Sequence, residues 1–81
     1  KELLLGRSPD CDIMIDNDPQ ISNSHCTLEL MNNRILVQDK KSKNGPRVNG
    51  IPIQGYIHAE SDSIIGIGRT ELRLTLVNEV Q

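Results

Sequence analysis

An all-β fold, an antiparallel sandwich of short strands, is predicted by three features of the sequence. The apolar residues are mostly branched aliphatics, ten Ile, nine Leu and four Val, with Tyr56 the only aromatic. Such side chains fit a pleated, half-buried surface better than a helix. Where they recur regularly they do so with period two, and helical spacing is absent. Turn-forming pairs interrupt them every few residues, as in sandwiches and barrels. With 81 residues, 36% hydrophobic and 25% charged, the chain is expected to form one domain over residues 1–81.

The elements follow in order. Leu3 to Leu5 is an apolar run closed by Gly6-Arg7-Ser8, and Ile13 to Ile15 is a short strand candidate after the Ser8-Pro9-Asp10 turn. Past Asp18-Pro19, the segment Cys26-Thr27-Leu28-Glu29-Leu30 alternates, placing Cys26, Leu28 and Leu30 on one face of a strand. Asn32-Asn33 turns the chain into Arg34 to Gln38. Asn44-Gly45-Pro46 leads to a hairpin whose turn is Asn49-Gly50, between Val48 and Ile51. Asn-Gly accepts the positive φ angles that a two-residue hairpin demands. Pro46 is expected to hold Gly45 extended. Ser63 to Ile67 and Leu72 to Leu76 complete the set of strands.

Composition and motifs weigh against several function classes. A net charge of −2 argues against general nucleic-acid binding by phosphate neutralisation. The longest apolar runs are three residues, as in Leu3 to Leu5 and Ile35 to Val37, against the roughly 20 of a membrane span. Cys11 and Cys26 form no CxxC pair, and two cysteines define no disulfide framework, so a reduced, intracellular chain is expected. A zinc site would need ligands from Cys11, Cys26, His25 and His58, but the adjacent His25 and Cys26 point to opposite faces of a strand. A hydrolase would need a Ser, one of the two His and an Asp, and no nucleophile elbow marks one. Gly66-Ile67-Gly68 lacks the continuation of a nucleotide-binding loop and ends a strand. The chain starts at Lys1 without an initiator Met, the beginning expected of a module excised from a longer protein.

Function is sought in the loops, where a sandwich presents polar residues on a rigid support. Gly6-Arg7-Ser8, then Ile21-Ser22-Asn23-Ser24-His25, then Lys43-Asn44-Gly45 occur in that order, followed by the Asn49-Gly50 turn. In order and spacing this set resembles the forkhead-associated (FHA) domain, a phosphothreonine-binding β-sandwich of intracellular signalling proteins, with binding loops at one end. The resemblance runs from about Leu4 through Leu76. Lys1 leaves too little chain for the strand that usually precedes the one ending in Gly-Arg, so the expectation is either a domain short of that first strand or one that is irregular there.

A phosphothreonine brings about −1.5 to −2 charges and three acceptor oxygens, which call for a cationic fork and neutral donors. The resemblance assigns phosphate binding to Arg7 and Ser22, with Asn23 at the same loop tip and Lys43 facing the phosphate. It assigns the peptide backbone to Asn44. His25 ties the loops together from within, and Gly6, Gly45 and Asn49 serve as backbone devices. Three positions depart from the family pattern: Lys43 replaces a common Ser or Thr, Pro46 a common Thr, and Arg47 a common aromatic or aliphatic residue. The expected function is phosphothreonine-dependent binding of a partner protein or peptide, in nucleus or cytoplasm, without catalysis, cofactor, metal, nucleic acid or membrane. Two alternatives stay open: a degenerate FHA-like domain that binds an unphosphorylated surface or itself, and, more remotely, a small hydrolase.

Overall fold

The computed structural model describes residues 2–77. Among them are nine strands: β1 (Glu2–Gly6), β2 (Ile13–Met14), β3 (Cys26–Met31), β4 (Arg34–Asp39), β5 (Pro46–Val48), β6 (Ile51–Pro52), β7 (Tyr56–Ala59), β8 (Ser63–Ile67) and β9 (Thr70–Leu74). One sheet has the order β2-β1-β3-β4-β7 and the other β6-β5-β8-β9. Leu5, Cys26, Leu28, Ile35, Val37 and Ala59 of the first sheet join Val48, Ile65 and Ile67 of the second in one buried cluster. The core is therefore aliphatic, as the composition requires. Ile21 and Ile53 enter the same cluster from loops.

The tight turns follow from residue type. Met31 faces Arg34 across Asn32-Asn33, whose φ angles are 51° and 64°, and Val48 faces Ile51 across Asn49-Gly50, at 51° and 84°. Asn tolerates this left-handed region because its short polar side chain bonds locally, and glycine has no Cβ to clash. Asn49 also ties the hairpin to β8, donating N–H to the Ile64 carbonyl (2.8 Å) while its Oδ1 accepts from Ile64 N–H (2.9 Å).

The all-β, mostly antiparallel sandwich stands as expected, with one parallel pair among the described strands, β1 and β2, in which Leu5 faces Ile13 and Gly6 faces Met14. Several finer expectations are corrected. The alternation in β3 breaks down: Thr27 is buried with Cys26 and Leu28, because the first half of β3 is covered on both faces, and Leu30 is 63% exposed where the strand runs beyond the core. The last strand is Thr70–Leu74, starting and ending two residues earlier than the apolar alternation implied. Gly45 has φ +58°, not the extended backbone expected before Pro46, a conformation open to it for lack of a Cβ. The sequence reading missed β7, in which Ala59 alone is buried, so no apolar period marks it.

Candidate functional site

Three loops meet at the end of the sandwich where β1 finishes and β3 begins. The first starts at Gly6, where the chain passes so close to the second loop that a Cβ would lie 2.1 Å from the Asn23 carbonyl oxygen and 2.9 Å from Cys11 Sγ. Only glycine fits there. Arg7 N–H then donates to the Ser22 carbonyl (3.1 Å) and Ser8 N–H to that of Asn23 (3.3 Å). These bonds place the Arg7 side chain beside the second loop, where its Nε donates to the Ile21 carbonyl (2.5 Å). That bond fixes the guanidinium plane and leaves the terminal N–H groups, which have no other protein partner among the described residues, as an open fork.

The second loop is held from inside. Ile21 is 1% exposed and plugs the loop into the core, leaving its neighbours Gln20 and Ser22 at the surface. His25 is fully buried; its Nδ1 accepts the Ser22 N–H (3.0 Å), its own N–H donates to the Leu5 carbonyl (2.8 Å), and its carbonyl accepts from Lys40 N–H (3.0 Å). Because Nδ1 is an acceptor, the neutral ring carries its proton on Nε2. Nε2 is buried without a hydrogen bond of ordinary geometry, with the Gly45 backbone as the polar group beside it. Burial holds the imidazole pKa below its usual value, against the raising influence of the Gly45 backbone, Asp39 and Asp18. His25 thus joins all three loops as a neutral strut.

Cys26, next along, is 0% exposed, and burial with the nearby Asp39 charge pushes its thiol up to about 12, which makes it inert core. Among the described residues no three His, Cys, Asp or Glu side chains converge as metal ligands would.

The third loop follows β4. Asp39 Oδ1 accepts from both Ser42 N–H (3.0 Å) and Ser42 Oγ–H (2.6 Å), folding the chain back so that Lys43 N–H donates to Ser22 Oγ (2.9 Å). Since Ser22 Oγ accepts that bond, its own proton points elsewhere and is free to be given to a ligand. Asn44 Nδ2 donates to the Gln20 carbonyl (2.9 Å), leaving Oδ1 as an acceptor. Arg47 lies instead over β8, its guanidinium covering Gly66 and its Nη2 donating to the Gly68 carbonyl (2.7 Å).

The result is a cleft of about 390 Å³ walled by Arg7, Pro19, Gln20, Ile21, Ser22, Lys43 and Asn44. Four of the five residues that the sequence pattern put at the ligand therefore meet in one place. Its two charged walls, Arg7 and Lys43, are both cationic, and no carboxylate lines it among the described residues. The fifth, Asn23, is exposed on the loop tip but outside the wall. Gln20, Ile21 and Asp39 contribute to the site without having been read from the sequence. Ile21 alone left a signal, as an isolated aliphatic in a polar loop.

Fold and cleft together define a class. The sequence model of the FHA domain matches residues 3–68, and the chain belongs to the FHA-domain family. It is 39% identical over 59 residues, or 73% of its length, to the glycogen accumulation regulator GarA of Mycobacterium tuberculosis, and spans 36% of that protein. To the proliferation marker protein Ki-67 of Mus musculus it is 34% identical over 64 residues, 79% of this chain and 2% of Ki-67. Among solved structures, the FHA domain of CT664 from Chlamydia trachomatis superimposes with a TM-score of 0.89 at 29% identity, covering 96% of this chain and 78% of that one. The N-terminal FHA domain of Rad53p from S. cerevisiae, solved with a phosphothreonine peptide, superimposes at 0.73 and 28% identity, covering 84% and 56%. FHA domains are interaction modules rather than enzymes.

Proposed function

We propose that this chain is a phosphothreonine-dependent protein-binding module without catalytic activity, working inside the cell. One observation supports it above the rest: Arg7 with its open guanidinium fork, Ser22 with a hydroxyl that accepts from Lys43 N–H, and Lys43 line one polar cleft that has no carboxylate among its described walls. A phosphate dianion supplies the matching charge and acceptors. In this reading Arg7 takes two phosphate oxygens through its terminal N–H groups. Ser22 donates its hydroxyl to a third, and Lys43 adds a hydrated point charge. Asn44 offers Oδ1 to a peptide N–H, its amide already anchored on Gln20. Asn23 reaches the phosphate or the peptide from the rim. Gly6 and His25 hold the loops, Gly45 turns the third loop into β5, and Asn49 fastens the hairpin that follows to β8.

The likeness to the phosphothreonine-bound Rad53p domain supports the same reading. Screening the purified chain against a phosphothreonine peptide library tests it. Selective binding that disappears on phosphatase treatment is the expected result, and selection of peptides irrespective of phosphorylation would reject it.

A further inference from the structure

The cleft depends on a residue that does not line it. Asp18 is 5% exposed and collects three hydrogen bonds on its carboxylate. Oδ1 accepts from Gln20 N–H (3.0 Å), and Oδ2 accepts from Arg69 N–H (2.7 Å) and Thr70 Oγ1–H (2.8 Å). The first donor belongs to the second loop of the site; Arg69 belongs to the turn between β8 and β9 and Thr70 is the first residue of β9, both in the opposite sheet. The two segments are pressed together: Gly68, at φ +59°, leaves room such that a Cβ there would sit 2.9 Å from both Asp18 Oδ2 and Ile21 Cγ1. Burial pushes the Asp18 carboxyl pKa up, but the bonds from Thr70, Gln20 and Arg69, with the Arg69 charge, outweigh it and hold it below the usual carboxylate value.

What the latched loop carries is specific. Its Ile21 carbonyl orients Arg7, its Gln20 carbonyl holds Asn44, and its Ser22 Oγ receives Lys43 N–H. We propose that Asp18 is a positioning residue for the cleft, latching the loop of residues 19–22 to the β8–β9 turn and thereby fixing the acceptors that aim Arg7 and Asn44. Asp18 touches no ligand; it acts through backbone carbonyls two and three residues away. Thr70 is its partner in the second sheet, so an alteration of the β8–β9 turn is transmitted to the cleft.

The affinity arm of the test rests on the phosphothreonine reading, whereas an exchange arm does not. Asp18→Asn puts an amide N–H where one of the backbone donors now finds an oxygen. It should weaken phosphothreonine-peptide binding about fivefold or more, the scale of coupling within one hydrogen-bond network. Thr70→Val removes a single donor outside the cleft and should weaken binding about two- to threefold, with Thr70→Ser restoring it. Amide hydrogen exchange without peptide should show lost protection at Ser22 and Lys43, neither of which bonds to Asp18, while β3 and β4 keep theirs.

Parental affinity within about twofold in both Asp18→Asn and Thr70→Val, or parental protection at Ser22 and Lys43, would overturn the proposal. So would protection lost equally across β3 and β4, since Asp18 would then only stabilise the fold. If the parent binds no phosphothreonine peptide, the functional reading fails and the exchange pattern alone decides the latch.

Discussion

Arg7 and Lys43 bring the same charge to the cleft and should behave differently. Arg7 is tied at Nε to the Ile21 carbonyl, so its fork is fixed before a ligand arrives; Lys43 is exposed, and its backbone rather than its side chain is tied, to Ser22. Arg7→Lys keeps the charge but loses both the fork and the anchor, and is expected to weaken phosphopeptide binding by about 1.5 to 3 kcal/mol. Calorimetric titration checks this, and a Lys variant that binds as the parent does would show that charge alone suffices. Lys43→Ser should remove only about 0.5 to 1.5 kcal/mol, as befits an exposed point charge. The sharper readout is salt: the parent should lose affinity more steeply than Lys43→Ser as ionic strength rises, because exposed charges are screened. Parallel slopes in titrations at three salt concentrations would place the ammonium in solvent.

The site exists because β1 and the loop preceding β3 pass within contact distance at Gly6. Gly6→Ala forces a Cβ into the Asn23 carbonyl and is expected to destabilise the fold by about 1 to 3 kcal/mol, the usual cost of overpacking. Thermal unfolding reads this at roughly 4 to 8 °C per kcal/mol, and an unchanged melting temperature would mean that the two segments part easily. His25 makes a second prediction. Its pKa is lowered in the fold by burial. Below about pH 6.5 the unfolded chain takes up a proton that the folded protein still refuses. Stability should therefore be full above that pH and fall as pH drops toward the native value. Urea unfolding at pH 7.5 and 5.5 should show this loss in the parent and a flatter dependence in His25→Asn; equal slopes would assign the pH effect to other groups.

Elements were legible in the sequence where chemistry is local. The Asn32-Asn33 and Asn49-Gly50 turns are written in residues that accept positive φ, and the resemblance of the ordered polar loops to the FHA pattern implied that Arg7, Ser22 and Asn44 share one site. β7 was not legible, because an edge strand with one buried residue has no period to detect. Neither was the parallel pairing of β2, since both its residues are exposed and nothing local sets strand direction. The roles of Asp18 and Asp39 depend on partners that only the assembled loops supply, Arg69 and Thr70 lying more than fifty residues from Asp18 along the chain.

At the scale of the whole molecule, an aliphatic core shared by two sheets acts as a frame on which backbone carbonyls, rather than salt bridges, aim the functional side chains. Ile21 shows how: its side chain belongs to the core while its carbonyl holds Arg7. The chain has a net charge of −2, yet among the described residues its cleft is lined by two cationic residues and no carboxylate, so attraction for an anion is a local property of the loops. The central claim is that this cleft reads a phosphate on threonine through Arg7. Its most direct test is titration of one phosphothreonine peptide and its unphosphorylated twin into the parent and Arg7→Ala. The parent should bind the phosphorylated peptide and not its twin, with Arg7→Ala losing about thirty- to a thousand-fold for the phosphorylated peptide for want of a charge-assisted pair to a dianion. Equal binding of the twin, or Arg7→Ala within about threefold of the parent, would contradict it.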